Sequence, residues 1–278
     1  MPAEPNAAPQ DVLLRFDDVS VIFDEVTALD QVSFEVRPAQ TKIVLGAAGS
    51  GKTTMLKTAI GLIRPDRGRV FLFGQDITGM DERELFHLRS KVGVLFQEGG
   101  LFDSLTAADN VAYPLINQPA IRTPKDQILP KVENALRFVE LEHTLDKYPS
   151  ELSGGMRRRV GIARAVVTEP PLVLYDSPTA GLDPITANTI MALIAKQRDT
   201  SSAANLIVTH RYQDGQLMAN FRYNRVSGRL DPVASNGSRR DTGTQFMVLN
   251  EGRLIFEGSL AELESSKDEY VSKFVLRR

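Results

Sequence analysis

Gly46-Ala47-Ala48-Gly49-Ser50-Gly51-Lys52-Thr53 fits the pattern G-x-x-x-x-G-K-[ST], with the apolar run Ile43 to Leu45 before it and Thr54-Met55-Leu56 opening a helix after it. The residue types name the chemistry. Glycines let backbone N–H groups wrap phosphate oxygens, and a helix N-terminus adds positive potential. Lys52 reaches the β and γ oxygens of a nucleoside triphosphate, and the Thr53 hydroxyl ligates Mg²⁺. Three more polar residues close short apolar runs: Gln97, Asp176 and His210. Gln97 and Asp176 suit a metal shell, since a carboxylate at a strand end holds Mg²⁺ in phosphate-loop NTPases. The His210 imidazole can meet the γ-phosphate. Taken singly, a histidine at a strand end is an ordinary hydrogen-bonding residue. Four strand ends that aim polar groups at one sheet edge make a site.

A second anion site is written downstream. Leu152-Ser153-Gly154-Gly155-Met156 introduces the basic helix Arg157-Arg158-Arg159-Val160-Gly161-Ile162-Ala163-Arg164, with Ser153 as its N-cap and two glycines exposing backbone N–H groups. Two phosphate sites in one compact chain point to two chains sharing each nucleotide. The alternative is an ordinary capped helix with a solvated arginine face.

The elements that must position these residues follow from the hydrophobic pattern. Apolar segments at Val12 to Phe16, Val21 to Phe23 and Val32 to Val36 suggest a small antiparallel sheet. Ile43 to Leu45, Val92 to Phe96, Leu172 to Tyr175 and Leu206 to Val208 alternate with helical stretches, which predicts an α/β chain with a parallel, doubly wound sheet. Thr123-Pro124 and Asp183-Pro184 each pair a capping residue with proline at the first helical position. Thr106 to Lys147 reads as helices without a strand, a helical subdomain inserted between two strands of the main sheet. Asn250-Glu251-Gly252 predicts a hairpin turn, and Ser259 with Glu262 a capping box for a last helix. From Gln216 to Gln245 five arginines outnumber two aspartates around Ser235-Asn236-Gly237-Ser238, so this stretch reads as a mobile loop insertion.

Composition narrows the function classes. With 42% hydrophobic and 24% charged residues the chain is globular, and a formal charge of −2 gives no global field that would draw it to nucleic acid. The absence of cysteine excludes disulfides, thiolate metal sites and a cysteine nucleophile. No run approaches eighteen apolar residues and the start lacks a signal-peptide pattern, so the expectation is a cytoplasmic protein that reaches a membrane through a partner.

The order of the phosphate loop, Gln97, the Leu152–Met156 signature, Asp176, Gly181-Leu182-Asp183 and His210 resembles an ABC-transporter ATPase subunit over roughly residues 12 to 260. Met156 departs from the glutamine that many members carry there. The runs Phe96-Gln97-Glu98-Gly99-Gly100-Leu101-Phe102-Asp103-Ser104-Leu105, Asn110-Val111-Ala112-Tyr113-Pro114-Leu115 and Asp183-Pro184-Ile185-Thr186, with Met156, are similar to the Mla/MCE-type phospholipid transport ATPases. The resemblance implies a phosphate-loop NTPase fold of ABC type, with an N-terminal antiparallel β-subdomain and an inserted helical subdomain. It implies a flexible segment 1–11, an ATPase domain over 12–260 with its helical subdomain at about 98–168 and the insertion at about 216–245, and a C-terminal helix and tail at 261–278. It further implies ATP and Mg²⁺ as cofactors and a homodimer sandwiching two ATP. The partners would be an integral membrane permease on the cytoplasmic face of the inner membrane, with an MCE-type substrate-binding protein. Phe23 would stack on adenine, residues 46–54 would cradle phosphate, Gln97 would link the metal site to the permease, and Asp183 would cross the dimer interface.

One position departs from the family. Where the residue after Asp176 is usually glutamate, the general base, this chain has Ser177, which has no basicity near pH 7. Nucleotide binding is therefore better supported than fast turnover. A hydrolysis-deficient, ATP-gated regulatory or assembly module stands as the alternative to a transporter subunit. ABC ATPases of translation or DNA repair carry tandem cassettes or long coiled coils, whereas this chain has one phosphate loop, one signature and no sustained heptads.

Overall fold

A computed structural model of the chain describes residues 11–118, 120–233 and 242–276. Four strands, β1 (Leu14–Phe23), β2 (Val26–Val36), β4 (Arg67–Leu72) and β5 (Gln75–Asp76), form an antiparallel sheet in the order β2-β1-β4-β5. The two N-terminal runs read from sequence are one continuous strand β1, whose register shifts near Asp18, a residue at φ 54°. Its polar interior, Asp17-Asp18, marks an irregularity rather than a turn.

The second sheet holds β3 (Thr41–Leu45), β6 (Val92–Leu95), β7 (Leu172–Asp176), β8 (Ala204–Thr209), β11 (Thr244–Asn250) and β12 (Arg253–Gly258), in the order β12-β11-β3-β8-β7-β6. All neighbours pair in parallel except the edge strand β12, which makes the hairpin at Asn250-Glu251-Gly252 with β11. These strands are continuous apolar runs because both faces are covered. Ile43, Leu45, Val173, Tyr175, Ile207 and Phe246 enter the core shared with the helices α3 (Ala107–Asn117), α4 (Lys125–Phe138), α5 (Gly154–Val166), α6 (Pro184–Thr200) and α7 (Tyr212–Asn220). Val44, Leu172, Leu174, Leu206, Val208 and Met247 face the opposite way, toward the antiparallel sheet and the helices α1 (Lys52–Ala59) and α2 (Glu82–Arg89). The chain closes on α8 (Leu260–Glu264), capped by the Ser259–Glu262 box, and α9 (Glu269–Leu276).

Two local readings are corrected. The stretch 216–245 is not one loop: α7 runs to Asn220, and β9 (Phe221–Asn224) pairs antiparallel with β10 (Arg229–Pro232). Asp199 anchors this hairpin by accepting from the Tyr223 N–H at 2.7 Å and pairing with Arg222 at 3.7 Å. Two of the arginines counted as surface charge thus have structural work, since Arg225 also donates to the Asp199 and Thr200 carbonyls. Ser235-Asn236-Gly237-Ser238 lies outside the described residues. At the other site, α4 starts one residue later than Thr123-Pro124 implies, with Pro124 itself at the N-cap and no side-chain cap. Asp183 does cap α6, accepting from Ile185 N and Thr186 N at 3.0 Å each.

Candidate functional site

Because β3, β8, β7 and β6 run parallel, the segments carrying the phosphate loop, His210, Asp176 and Gln97 leave one edge of one sheet. Gly46 follows β3 where a Cβ would lie 2.4 Å from Ser50 Oγ and 2.6 Å from the Leu249 carbonyl. Gly51 has φ 100°, and a Cβ there would meet the Ala28 carbonyl at 2.3 Å. Only glycine fits at either position. Gly51 also offers no side-chain acceptor to α1, so the helix presents its first N–H groups without a side-chain cap, as an anion cradle requires. Ala47, Ala48 and Gly49 form an exposed lip, Ser50 is buried, and Thr54 is half-buried.

Lys52 is buried, and its Nζ donates to the carbonyls of Gly46 at 2.8 Å and Ala47 at 2.7 Å and to Ser50 Oγ at 3.2 Å. Burial lowers its pKa, against an opposing pull from the Asp176 carboxylate. Asp176 is held from two sides. Thr53 Oγ1 donates to its Oδ2 at 3.0 Å, and Ser177 Oγ donates to its Oδ1 at 3.1 Å. A hydroxyl and a carboxylate within hydrogen-bond distance are hard oxygen donors of the kind Mg²⁺ takes when phosphates and waters complete its shell. The residues present therefore fit both the phosphates and the metal. Gln97 and His210 are exposed beyond the ends of β6 and β8, the strands on either side of β7, and among the described residues neither hydrogen-bonds Asp176.

Two participants in this arrangement escape sequence reasoning. Asp214, one turn into α7, is buried and accepts from Thr179 Oγ1 at 2.6 Å and Thr209 Oγ1 at 2.7 Å, so it ties the segment after β7 to the end of β8. Its only sequence signal is an acid four residues beyond His210. Desolvation raises its pKa, although Thr179, Thr209, Arg211 and His210 pull it down. A raised carboxyl pKa favours folding below the ordinary aspartate range and loses that contribution as pH rises through the folded value. Asp214→Asn, which keeps an acceptor but cannot ionise, is expected to gain stability relative to wild type as pH rises from 4 to 7. Urea unfolding of both proteins across that range checks it, and a constant difference would contradict it.

The second is Arg158. The arginines of α5 are half-buried or buried and bonded within the chain, unlike the solvated face of the alternative reading. Arg157 donates to the Leu152 carbonyl, Arg159 to Val139 and Arg164 to Gly99 and Gly100, while buried Arg158 donates to Ser177, Pro178 and Ala180. Ser153 caps α5 through Met156 N at 3.2 Å and is exposed. Gly154 is half-buried beside Leu182, and a Cβ on Gly155 would lie 2.6 Å from Thr186 Cγ2. No hydrogen bond joins Ser153, Gly154 or Gly155 to residues 46–54 of the same chain among the described residues. Phe23 is 47% exposed at the tip of the β1–β2 hairpin, with Ile22 and Val26 also exposed, and it is not a core residue.

A family model described as "ABC transporter" matches residues 29–180, more than half of the chain. This chain belongs to the ABC transporter family. It is 34% identical over 269 residues to the methionine import ATP-binding protein MetN of Pasteurella multocida, covering 95% of this chain and 70% of that one. It is 30% identical over 246 residues to the intermembrane phospholipid transport system ATP-binding protein MlaF of Haemophilus influenzae, covering 88% and 83%. Among solved structures, the ATP-binding cassette MJ0796, a dimer in a post-hydrolysis state bound to ADP and Pi, superposes with a TM-score of 0.73 at 28% identity over 89% of this chain and 98% of that one. The fold is that of the ABC ATPase cassette.

In this ABC cassette Ser177 stands at φ 49°, the left-handed region, with its N–H donated to the Val208 carbonyl at 2.9 Å. Its hydroxyl is spent on Asp176. Asp183, the other carboxylate that could serve chemistry from a partner, is committed to capping α6. Thr186, through its hydroxyl and N–H, and the Ile185 N–H hold its carboxyl below the usual range, which makes it a weaker base. No helix among the described residues is long and apolar enough to cross a membrane.

Proposed function

We propose that this chain is an ATP-binding subunit that acts as a homodimer, each nucleotide lying between residues 46–54 of one copy and Ser153-Gly154-Gly155 of the other. The observation that carries the reading is that two helix starts fit to hold anions stand apart in one chain: α1 sits beside Asp176, while among the described residues the exposed Ser153 cap makes no hydrogen bond to it. The dimeric MJ0796 cassette supports the pairing. Bound Mg²⁺ would neutralise phosphate charge and orient the γ-phosphate. In this chain the 46–54 backbone and Lys52 bind the phosphates, Thr53 and Asp176 hold the metal with Gln97 alongside, Phe23 stacks on the adenine, and His210 contacts the γ-phosphate. Asp183 lies at the dimer interface. Closure of the dimer stores binding energy that loss of the γ-phosphate releases to a separate membrane permease, on whose cytoplasmic face the subunit sits.

A phospholipid is the substrate class this reading favours, with an MCE-type protein as the further partner. Met156, the run 96–105 and Asp183-Pro184-Ile185-Thr186 support it, as does the MlaF likeness. The MetN likeness favours methionine import as a second reading. Co-purification from native membranes, with identification of bound subunits and lipids, decides between them. Recovery of a methionine-binding protein without bound lipid would overturn the phospholipid assignment.

The permease contact is a groove of about 440 Å³ that includes Phe96, Phe102, Tyr113 and Pro114, next to Gln97. Phe102 is 42% exposed, lies 4.6 Å from the Tyr113 ring and carries Arg164 over its face at 5.6 Å. Its neighbour Leu101 packs against the core instead. Phe102→Asp is therefore expected to abolish co-purification with the permease and leave the melting temperature of the isolated subunit within about 2 °C, whereas Leu101→Asp lowers it by about 5 °C or more. A large drop with Phe102→Asp would show that the ring is structural.

A further inference from the structure

Arg158 lies where the two half-sites of one chain meet. Its side chain is buried, and its guanidinium donates to the carbonyls of Ser177 at 2.9 Å, Pro178 at 2.7 Å and Ala180 at 2.6 Å. A planar fork with fixed donors is suited to three carbonyls of one turn, and a lysine point charge is not. On its own helix Arg158 stands one turn after Gly154-Gly155, and that turn is wedged against Leu182 and Thr186. On the other side, the turn it grips begins at Ser177, which is bonded to Asp176 through its hydroxyl and to Val208 through its N–H. Thr179 in the same turn is fastened to Asp214, and Asp214 to Thr209. The backbone at Ser177 sits in the left-handed region, a conformation that a non-glycine residue keeps only when its surroundings hold it. The Arg158 fork supplies that hold from the signature helix.

We propose that Arg158 is a positioning residue that couples the two nucleotides of the dimer. The inference rests on the shared-site reading above: Ser153-Gly154-Gly155 of a chain meets one nucleotide, and Asp176 of the same chain meets the other. A shift of the α5 start on engaging the first nucleotide reaches Asp176 through one guanidinium and the Ser177 backbone. This is a contiguous physical link between sites, and its energetic signature is cooperativity rather than affinity at either loop alone.

The test uses the full chain and its Arg158→Met and Arg158→Lys variants, with two readouts. Binding of a fluorescent ATP analogue is measured at protein concentrations where the chain is monomeric. Dimerisation is then followed by sedimentation during a titration with Mg·ATP. Wild type is expected to dimerise with a Hill coefficient above 1. In Arg158→Met the Hill coefficient falls toward 1 and the dimerisation midpoint rises at least about fivefold, while monomer affinity changes less than about threefold. Arg158→Lys recovers part of the cooperativity, because one donor replaces a fork. A purely structural role would lower the melting temperature and monomer affinity together. If circular dichroism shows that Arg158→Met does not fold, the lysine variant carries the comparison alone, with the midpoint still raised and monomer affinity kept. A folded variant with wild-type Hill coefficient and midpoint overturns the coupling role, as does an equal loss in both readouts. A wild-type chain that stays monomeric with Mg·ATP overturns the shared-site reading itself, and this inference with it.

Discussion

Lys52→Ala is expected to weaken Mg·ATP binding by about 10- to 100-fold, the loss that follows when a charge-assisted hydrogen bond to an ionised ligand is removed. Lys52 Nζ reaches the Gly46 and Ala47 carbonyls and Ser50 Oγ, so the ammonium is already poised over the loop that would hold the phosphates. Those three contacts also brace the loop. The variant is therefore expected to lose some local order there, while the fold persists because β3 and the face of α1 carrying Met55 and Leu56 remain packed in the core. Calorimetric titration with Mg·ATP, alongside circular dichroism, is the measurement. Wild-type affinity in a natively folded Lys52→Ala protein would mean that the phosphate loop is not the nucleotide site.

Ser177→Glu is expected to act on rate rather than binding. A catalytic base contributes about 10²- to 10⁴-fold, and Ser177 donates its only proton to Asp176 rather than accepting one. Restoring a carboxylate is expected to raise kcat at least about tenfold with a modest change in ATP affinity, since a base acts mainly on the transition state. The competing possibility is that Asp183 of a partner copy already supplies the carboxylate. Its engagement with Ile185 and Thr186 argues against that, because the same oxygen that accepts both N–H groups would have to be released from the cap of α6. Steady-state ATPase rates of wild type and Ser177→Glu, both assembled with the permease, separate the two. Brisk wild-type turnover, unchanged in the variant, would refute the impaired site and with it the hydrolysis-deficient alternative.

Much of the candidate site's layout is legible in sequence because it is written locally. The phosphate loop needs glycines at set positions, and the structure gives the reason at Gly46 and Gly51, where backbone and side-chain atoms leave no room for a Cβ. Asp176 and His210 were legible because each ends an apolar run, and parallel pairing with β3 brings those ends to one edge. Arg158 and Asp214 were not legible. Each works through carbonyls or hydroxyls distant in sequence, and an arginine within a basic run or an aspartate in a short helix looks the same whether buried or solvated. The strands β4 and β5 and the helix α2 were missed for a related reason. Only the second half of β4 is buried, both residues of β5 are exposed, and α2 buries only Leu85 and Leu88, so their periodic signal is thin. The hairpin of β9 and β10 was hidden by its charge; in the fold Asp199 pairs with Arg222, and Arg225 donates to the Asp199 and Thr200 carbonyls.

Two copies of this chain are expected to close around Mg·ATP, and sedimentation velocity of the purified protein reads that closure. Wild type is expected to sediment as a monomer without nucleotide and as a dimer with saturating Mg·ATP. Ser153→Arg should remain monomeric under both conditions, because the added bulk and the lost cap at Met156 N obstruct the face proposed to meet the partner's phosphate loop. A wild-type protein that stays monomeric with Mg·ATP, both alone and with its permease, would contradict the account, as would a Ser153→Arg protein that dimerises as readily as wild type.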